Sequence, residues 1–229
     1  MKRKTIYRGA TLGALLISQG VFIHASHAAI PLTHDCESGI AGSLTEFFTC
    51  GSVSGSLRTL YYSTHNAYFV SGLSQDTVSY GGSVKYATAE YYGVSLGVSG
   101  ILQRGISHND DHLVNELGPN QTGVGEAWLS WHYDQFRITA GDQRINIPFI
   151  GDYDWRITPI LFRAIDASYG DSDNFLHATK ITRYKPWGDD QFLDTTAYTD
   201  IEQSTNGMWG VGGGRSIPFG DRKVNAQMW

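Results

Sequence analysis

Five arginines and a lysine carry most of the chemical potential of this sequence: Arg58, Arg137, Arg144, Arg156 and Arg163, with Lys85. A guanidinium presents five N–H donors in a planar fork that matches a carboxylate, and a row of them along a wet wall concentrates anionic solutes. The acidic complement lies nearby. Asp152 and Asp154 fall between Arg144 and Arg156, while Glu126 and His132 precede Arg137. The aspartate pair could hold a cation, although pairing with Arg156 or another basic group competes for the same oxygens. Arginines that select a solute and arginines that tie a loop to a wall use the same chemistry, so residue types alone leave both roles open.

Other patterns offer less. Residues 108–112, HNDDH, bring two imidazoles and two carboxylates within metal-ligating reach, but in a long polar run where water serves equally well. Residues 93–97, GVSLG, match G-x-S-x-G. That nucleophile turn requires a strand feeding a helix and triad partners, whereas Ser95 falls inside an alternating strand pattern. Cys36 and Cys50 could close a small disulfide loop in an oxidising compartment. Nothing in the sequence implies a cofactor.

These residues need a scaffold, and the composition suggests which. The 229 residues hold 27 glycines, 13 tyrosines and only 17% charged residues, with a net charge of −5. Turns and strands suit that balance better than helices do, and no basic patch for nucleic acid is present. The start has Lys2, Arg3, Lys4 and Arg8, then an apolar stretch over 10–23 and small residues Ser26 and Ala28. Residues 1–28 therefore read as a secretory leader cut after Ala28. Its loss leaves 13 Lys+Arg against 22 Asp+Glu, an acidic exported chain.

Beyond the leader, no stretch reads as a useful amphipathic helix. Residues 29–51 read as an N-terminal periplasmic segment, and residues 52–229 as about nine strands with period-two alternation. Val53, Leu57 and Tyr61 oppose Ser54, Ser56 and Arg58; Val78, Tyr80, Val84 and Tyr86 oppose Ser79, Ser83 and Lys85. Leu129, Trp131 and Tyr133 oppose Ser130 and His132, and Phe136, Ile138 and Ala140 oppose Arg137 and Thr139. Arg163, Lys180 and Arg183 have no clean apolar face opposite them. Short turns near 89–92, 134–135, 170–174 and 218–221 alternate with long connections at 65–77, 104–122, 144–160 and 186–206. That sorting of loops by length is the signature of an antiparallel transmembrane β-barrel, with apolar residues toward lipid and polar ones toward the lumen. Nine strands is an odd number, and Trp229 falls off the apolar face of Val224, Ala226 and Met228. Both features suit part of a larger barrel, its N-terminal half.

Residues 125–165, GEAWLSWHYDQFRITAGDQRINIPFIGDYDWRITPILFRAI, resemble the OprD family of outer-membrane porins. The family reads Gly-Glu-Ala, then Gly-Arg-Gln, then a Thr-Pro-Phe and a Phe-Glu-Ala. Here these are Gly125–Glu126–Ala127, Gly141–Asp142–Gln143, Ile147–Pro148–Phe149 and Phe162–Arg163–Ala164. TKITRYKPWGDDQF also resembles a family motif, Thr-Lys-Ile-Lys-Pro-Arg followed by Asp-Asp-Phe. The resemblance implies an 18-stranded barrel, monomeric or loosely homotrimeric, surrounded by outer-membrane lipid. Its third long loop, here 144–160, would fold into the lumen through Ile145, Ile147, Phe149, Trp155 and Ile157. Basic wall residues would then face Asp152 and Asp154 across a constriction passing small carboxylates, basic amino acids or similar nutrients, without enzymatic chemistry. Two other readings stay open: a complete barrel of eight to ten strands with a structural, adhesive or lipid-modifying role, and a periplasmic hydrolase using Ser95.

Overall fold

The computed structural model describes residues 29–31, 39–64, 71–72, 75–108, 120–195, 205–220 and 222–229. The leader, Cys36 and residues 109–112 of the HNDDH motif lie outside them; Cys50 is disulfide-bonded. One antiparallel sheet takes up nearly all of the described chain. Its strands are β1 (Ala29–Pro31), β2 (Ser52–Thr64), β3 (Gln75–Ala87), β4 (Val94–His108), β5 (Gln121–Tyr133), β6 (Phe136–Gln143), β7 (Leu161–Gly170), β8 (Asn174–Lys185), β9 (Leu193–Asp194), β10 (Met208–Phe219) and β11 (Arg222–Met228). Neighbours in sequence are neighbours in space, except that the two-residue β9 folds back on β8 and β8 then pairs with β10. Nine strands of 7 to 15 residues thus form the wall where the alternation predicts about nine. The path from β1 to β11 is open among the described residues, which does not suit a small barrel closed on itself.

The two faces differ as the period predicts. Leu57, Tyr61, Val84, Val98, Val124, Leu129, Ile165, Leu176 and Val211 are exposed on the outer face. An apolar face left in contact with solvent is stable only if something apolar covers it, and lipid is the natural cover for such a strand pattern. Aromatic rings gather where the short turns end the strands: Tyr92, Trp131, Tyr133, Tyr169 and Phe219 are exposed there, with Trp131 and Tyr133 stacked at 6.1 Å. Amphipathic rings favour the level between hydrocarbon and water. No helix among the described residues is long and apolar enough to cross a membrane.

The inner face carries hydroxyls, amides and charges, and the loop 144–160 lies on it. Ile145, Ile147 and Ile160 join Phe162, Ala164, Ile181 and Tyr184 in the main apolar cluster. Ile157 is buried against Leu60 of β2. Phe149 and Trp155 depart from expectation: they are 78% and 41% exposed. The wall beneath the loop is largely polar, so it offers apolar partners to the isoleucines alone. Burying each of these side chains contributes about 1.5–3 kcal/mol, which keeps a long connection on the sheet.

Residues 39–50, within the segment read as preceding the barrel strands, carry a short helix, α1 (Leu44–Thr49). Ser43 caps it by accepting from the Glu46 N–H at 3.2 Å, and the Glu46 carboxylate accepts from the Gly42 N–H at 2.7 Å. This is the logic of a capping box, with Ser43 followed three residues later by Glu46. Phe47 packs with Ala41 and Ala89, and backbone bonds from Ala41 to Glu90 (2.7 Å) and Ala89 to Phe47 (3.0 Å) tie the segment to the β3–β4 turn.

Beneath the loop, glycine is required at Gly81. A Cβ there would overlap the Leu102 carbonyl and lie 2.8 Å from Ile157 Cγ2. Gly81→Val should therefore cost about 1–3 kcal/mol through overpacking and loosen the loop. Urea unfolding and protease access to residues 144–160 check this; an unaltered midpoint would show that the loop does not rest on Gly81.

Candidate functional site

Asp154 is the centre of the inner-face polar cluster. Arg58, pointing inward from β2, donates Nη1 to Asp154 Oδ1 at 2.5 Å and Nη2 to Oδ2 at 3.0 Å. It also donates to the Arg156 carbonyl at 2.9 Å. Arg144, where the loop leaves β6, donates Nη2 to the same Asp154 Oδ2 at 2.7 Å and Nε to Asp152 Oδ2 at 2.6 Å. One carboxylate is thereby shared between a wall guanidinium and a loop guanidinium. Burial by itself would raise the Asp154 pKa; hydrogen bonds from Arg58 and the charges of Arg144 and Arg58 outweigh it and hold the carboxyl below its ordinary value. Burial likewise opposes the Arg144 charge, and Asp154 and Asp152 reverse that, raising its pKa.

Arg156 does not join the carboxylate cluster. Its guanidinium rests against two indoles, 4.3 Å from the Trp155 ring and 4.0 Å from Trp187. Those rings meet edge to face at 5.3 Å. A cation held over aromatic faces keeps its charge while burying its plane. The exposed Trp155 thus contributes to the loop through this stack.

A second pair lies deeper toward the turn end of the wall. Lys85 on β3 donates to Glu126 Oε2 on β5 at 2.6 Å, and Trp128 Nε1 donates to the same oxygen at 3.0 Å. Glu126 reaches this position through a register shift in the β4–β5 pairing, where Val98 opposes Ala127 but Gly100 opposes Val124. The extra residue on β5 is a bulge, which re-aims a side chain; the Glu126 N–H is then taken up by Ser99 Oγ at 2.7 Å. Between wall and loop is a cavity of about 220 Å³, lined by Arg58, Lys85, Glu126, Arg144 and Asp154, with hydroxyls from Ser54, Ser56, Ser83 and Ser99.

Six of the nine predicted charged residues therefore meet here: Arg58, Lys85, Glu126, Arg144, Asp152 and Asp154, while Arg156 contributes only its carbonyl and turns its guanidinium to the indoles. His132 and Arg137 do not. They are cross-strand partners next to the Asp134–Gln135 turn, and His132 bonds to the Asp134 carbonyl at 2.7 Å and Glu90 at 3.3 Å. Their inward facing agrees with the alternation, but they stand at the mouth of the wall. The placing of the loop aspartates also differs from expectation. Arg58 does not stand across a gap from the loop aspartates but bonds to Asp154 directly, because two half-buried charges gain more by pairing than by facing water separately. Lys185 was missed. It is almost fully buried at the loop end of β8, with Nζ 3.3 Å from the Val124 carbonyl. Its neighbourhood depends on the irregular β7–β8 register, which alternation counting cannot anticipate. Ser95 stands on β4, which runs on as strand to His108. The strand–turn–helix geometry of a nucleophile elbow is absent there.

The sharing of Asp154 has a measurable consequence. Asp154→Asn should raise amide exchange over 152–158 by roughly 10- to 100-fold, the loss of charge-assisted bonds worth about 1.5–3 kcal/mol. Since the folded pKa lies below the ordinary 3.8, this contribution is complete above pH 3.8 and disappears as pH falls through the lower folded value. Tryptophan fluorescence from the Trp155–Trp187 stack during acid titration tests it; loop release between pH 7 and 5 would contradict it.

No protein-family model matches the chain, and no curated protein matches it in sequence. Solved structures do. OccD3 (OpdP) of Pseudomonas aeruginosa superposes with a TM-score of 0.61 at 15% identity, over 86% of this chain and 43% of that one. OccK8 (OprE) of Pseudomonas aeruginosa superposes with a TM-score of 0.61 at 14% identity, over 79% of this chain and 46% of that one. Both are OprD-family outer-membrane porins, and this chain spans less than half the length of either. The fold of this chain is thus that of an OprD-type β-barrel porin, carried over less than half of such a porin's length.

Proposed function

We propose that this chain forms the wall and constriction of a water-filled outer-membrane pore for the passive diffusion of small charged solutes. The observation that carries this is the loop 144–160 pinned on the inner face by Arg58 and Arg144 through Asp154. A loop held there narrows the lumen, and the groups left around it set which solutes pass. Lys85, Glu126, Arg144 and the four serines line the remaining space, and His132 and Arg137 stand at its mouth. Small carboxylates, basic amino acids or related nutrients suit that lining, since both ion-pair partners are available to a charged solute. The reading needs no cofactor and no covalent step.

The same reading makes residues 1–28 the export leader, 29–51 a periplasmic-side segment closing over the β3–β4 turn, and 52–229 the part of the barrel in lipid. The Gram-negative outer membrane is the corresponding location, with a loose homotrimer as the assembly.

In the closed barrel that contains this wall, Arg58→Gln should release the loop and raise single-channel conductance, while Lys85→Gln should lower anion preference and leave conductance nearly unchanged. Arg137→Ala with Arg156→Ala should alter the reversal potential under a salt gradient. Planar-bilayer recordings measure all three. Conductance and selectivity that stay at wild-type values in every variant would overturn the constriction.

A further inference from the structure

The outer face gathers its densest positive charge at one place. Near the loop-bearing ends of β7, β8 and β10, Arg163, Lys180 and Arg183 stand beside exposed Ile165 and Val211. Arg163 and Arg183 are direct cross-strand partners. Two like charges directly opposed on one face destabilise a sheet unless an anion compensates them.

The register explains how they come together. Ala164 pairs with Ile181 and Arg163 pairs with Arg183, so Thr182 is an extra residue on β8. Simple alternation from Ile181, fully buried on the inner face, would send Arg183 inward. The bulge at Thr182 sends it outward instead, leaving Tyr184 buried inside with Phe162. Thr182 Oγ1 fastens the bulge to the Arg163 carbonyl at 3.1 Å.

Protein carboxylates satisfy only part of this cationic group. Arg163 donates Nε and Nη2 to Asp142 at 2.8 and 3.1 Å and lies 4.7 Å over the Phe192 ring. Arg183 meets Asp194 at 3.3 Å, both groups being nearly half exposed. Lys180 meets no carboxylate among the described residues; its ammonium lies 4.8 Å over Trp209, a ring 72% exposed. Three cations thus face two carboxylates on a surface of branched aliphatics and aromatic rings.

We propose that Lys180, Arg183 and the free edge of Arg163 bind the phosphate headgroup of an anionic lipid in the leaflet at the loop end. This rests on the membrane placement of the outer face proposed above. An oxyanion takes N–H donors from two guanidiniums and an ammonium at once, and acyl chains lie against Ile165 and Val211. A soluble anion gains nothing from those aliphatics, which is why a lipid is the occupant. Trp209 and Phe192 hold the headgroup level, as rings at a membrane interface do. The Asp142–Arg163 pair keeps the site from repelling itself when the lipid is absent.

The test uses the full chain refolded into phosphatidylcholine vesicles, with and without phosphatidylglycerol, then extracted in mild detergent for native mass spectrometry. Wild type should retain phosphatidylglycerol preferentially. Lys180→Gln with Arg183→Gln should lower that retention roughly 10- to 30-fold, as loss of two headgroup-level cations implies, and Lys180→Arg should restore part of it in the single-site comparison with Lys180→Gln. Equal retention of both lipids, or a double variant like wild type, overturns the lipid site while leaving the membrane wall intact. Failure to insert into either vesicle overturns the membrane placement and the site together. Crosslinking of copies through Lys180 that excludes lipid adducts would give the surface to a second copy and overturn the proposal.

Discussion

A single carboxylate shared by two guanidiniums holds the inner face together. Asp154 receives Arg58 from the wall and Arg144 from the base of the loop, so wall, loop stem and loop tip meet at one group. Either arginine alone near the aspartate would be an ordinary ion pair worth little if exposed. The shared, half-buried geometry works differently, since each guanidinium holds the carboxylate where the other can use it. Apolar contacts could not replace this. The wall under the loop presents Ser79, Gln103, Gln121 and Ser130, which gain nothing from covering isoleucines and require hydrogen-bonding partners.

The loop is therefore attached by two unlike means. Isoleucines bury at its stems, and charges fasten its middle to β2. Aromatic residues make a third layer: Arg156, resting against Trp155 and Trp187, links the loop to the connection after β8. Gln121 Nε2 donates to the Asp189 carbonyl in that same connection. Two long connections thus support each other above a wall that is polar beneath them.

Departures from regular alternation recur where chemistry is placed. The bulge on β5 turns Glu126 toward Lys85, and the one at Thr182 turns Arg183 outward. Two of the motif positions at which this chain departs from the pattern it resembles are brought together by the same sheet. Asp142 stands in place of an arginine and Arg163 in place of a glutamate, and the structure makes them register partners joined at 2.8 Å. In the sequence these are two separate departures, 21 residues apart; in the sheet they are one ion pair.

The sequence by itself determined the strand order, the strand count, the division into apolar and polar faces and the alternation of short and long connections. All of these depend on a period of two and on turn composition, which are local properties. It also placed Arg58, Lys85 and Arg137 on the inner face, because each alternates against a clear apolar row. Partners were beyond its reach. Arg58 and Asp154 are 96 residues apart, and only the loop's return across the sheet brings them together. Cross-strand register decided that Arg137 stands by the Asp134–Gln135 turn while Arg58 stands beneath the loop, although both face the same way. One-residue bulges decided where Glu126, Arg183 and Lys185 point, since a single extra residue reverses a strand's facing and leaves almost no trace in composition. Facing follows from the chain's own period, whereas depth and pairing belong to the sheet as a whole.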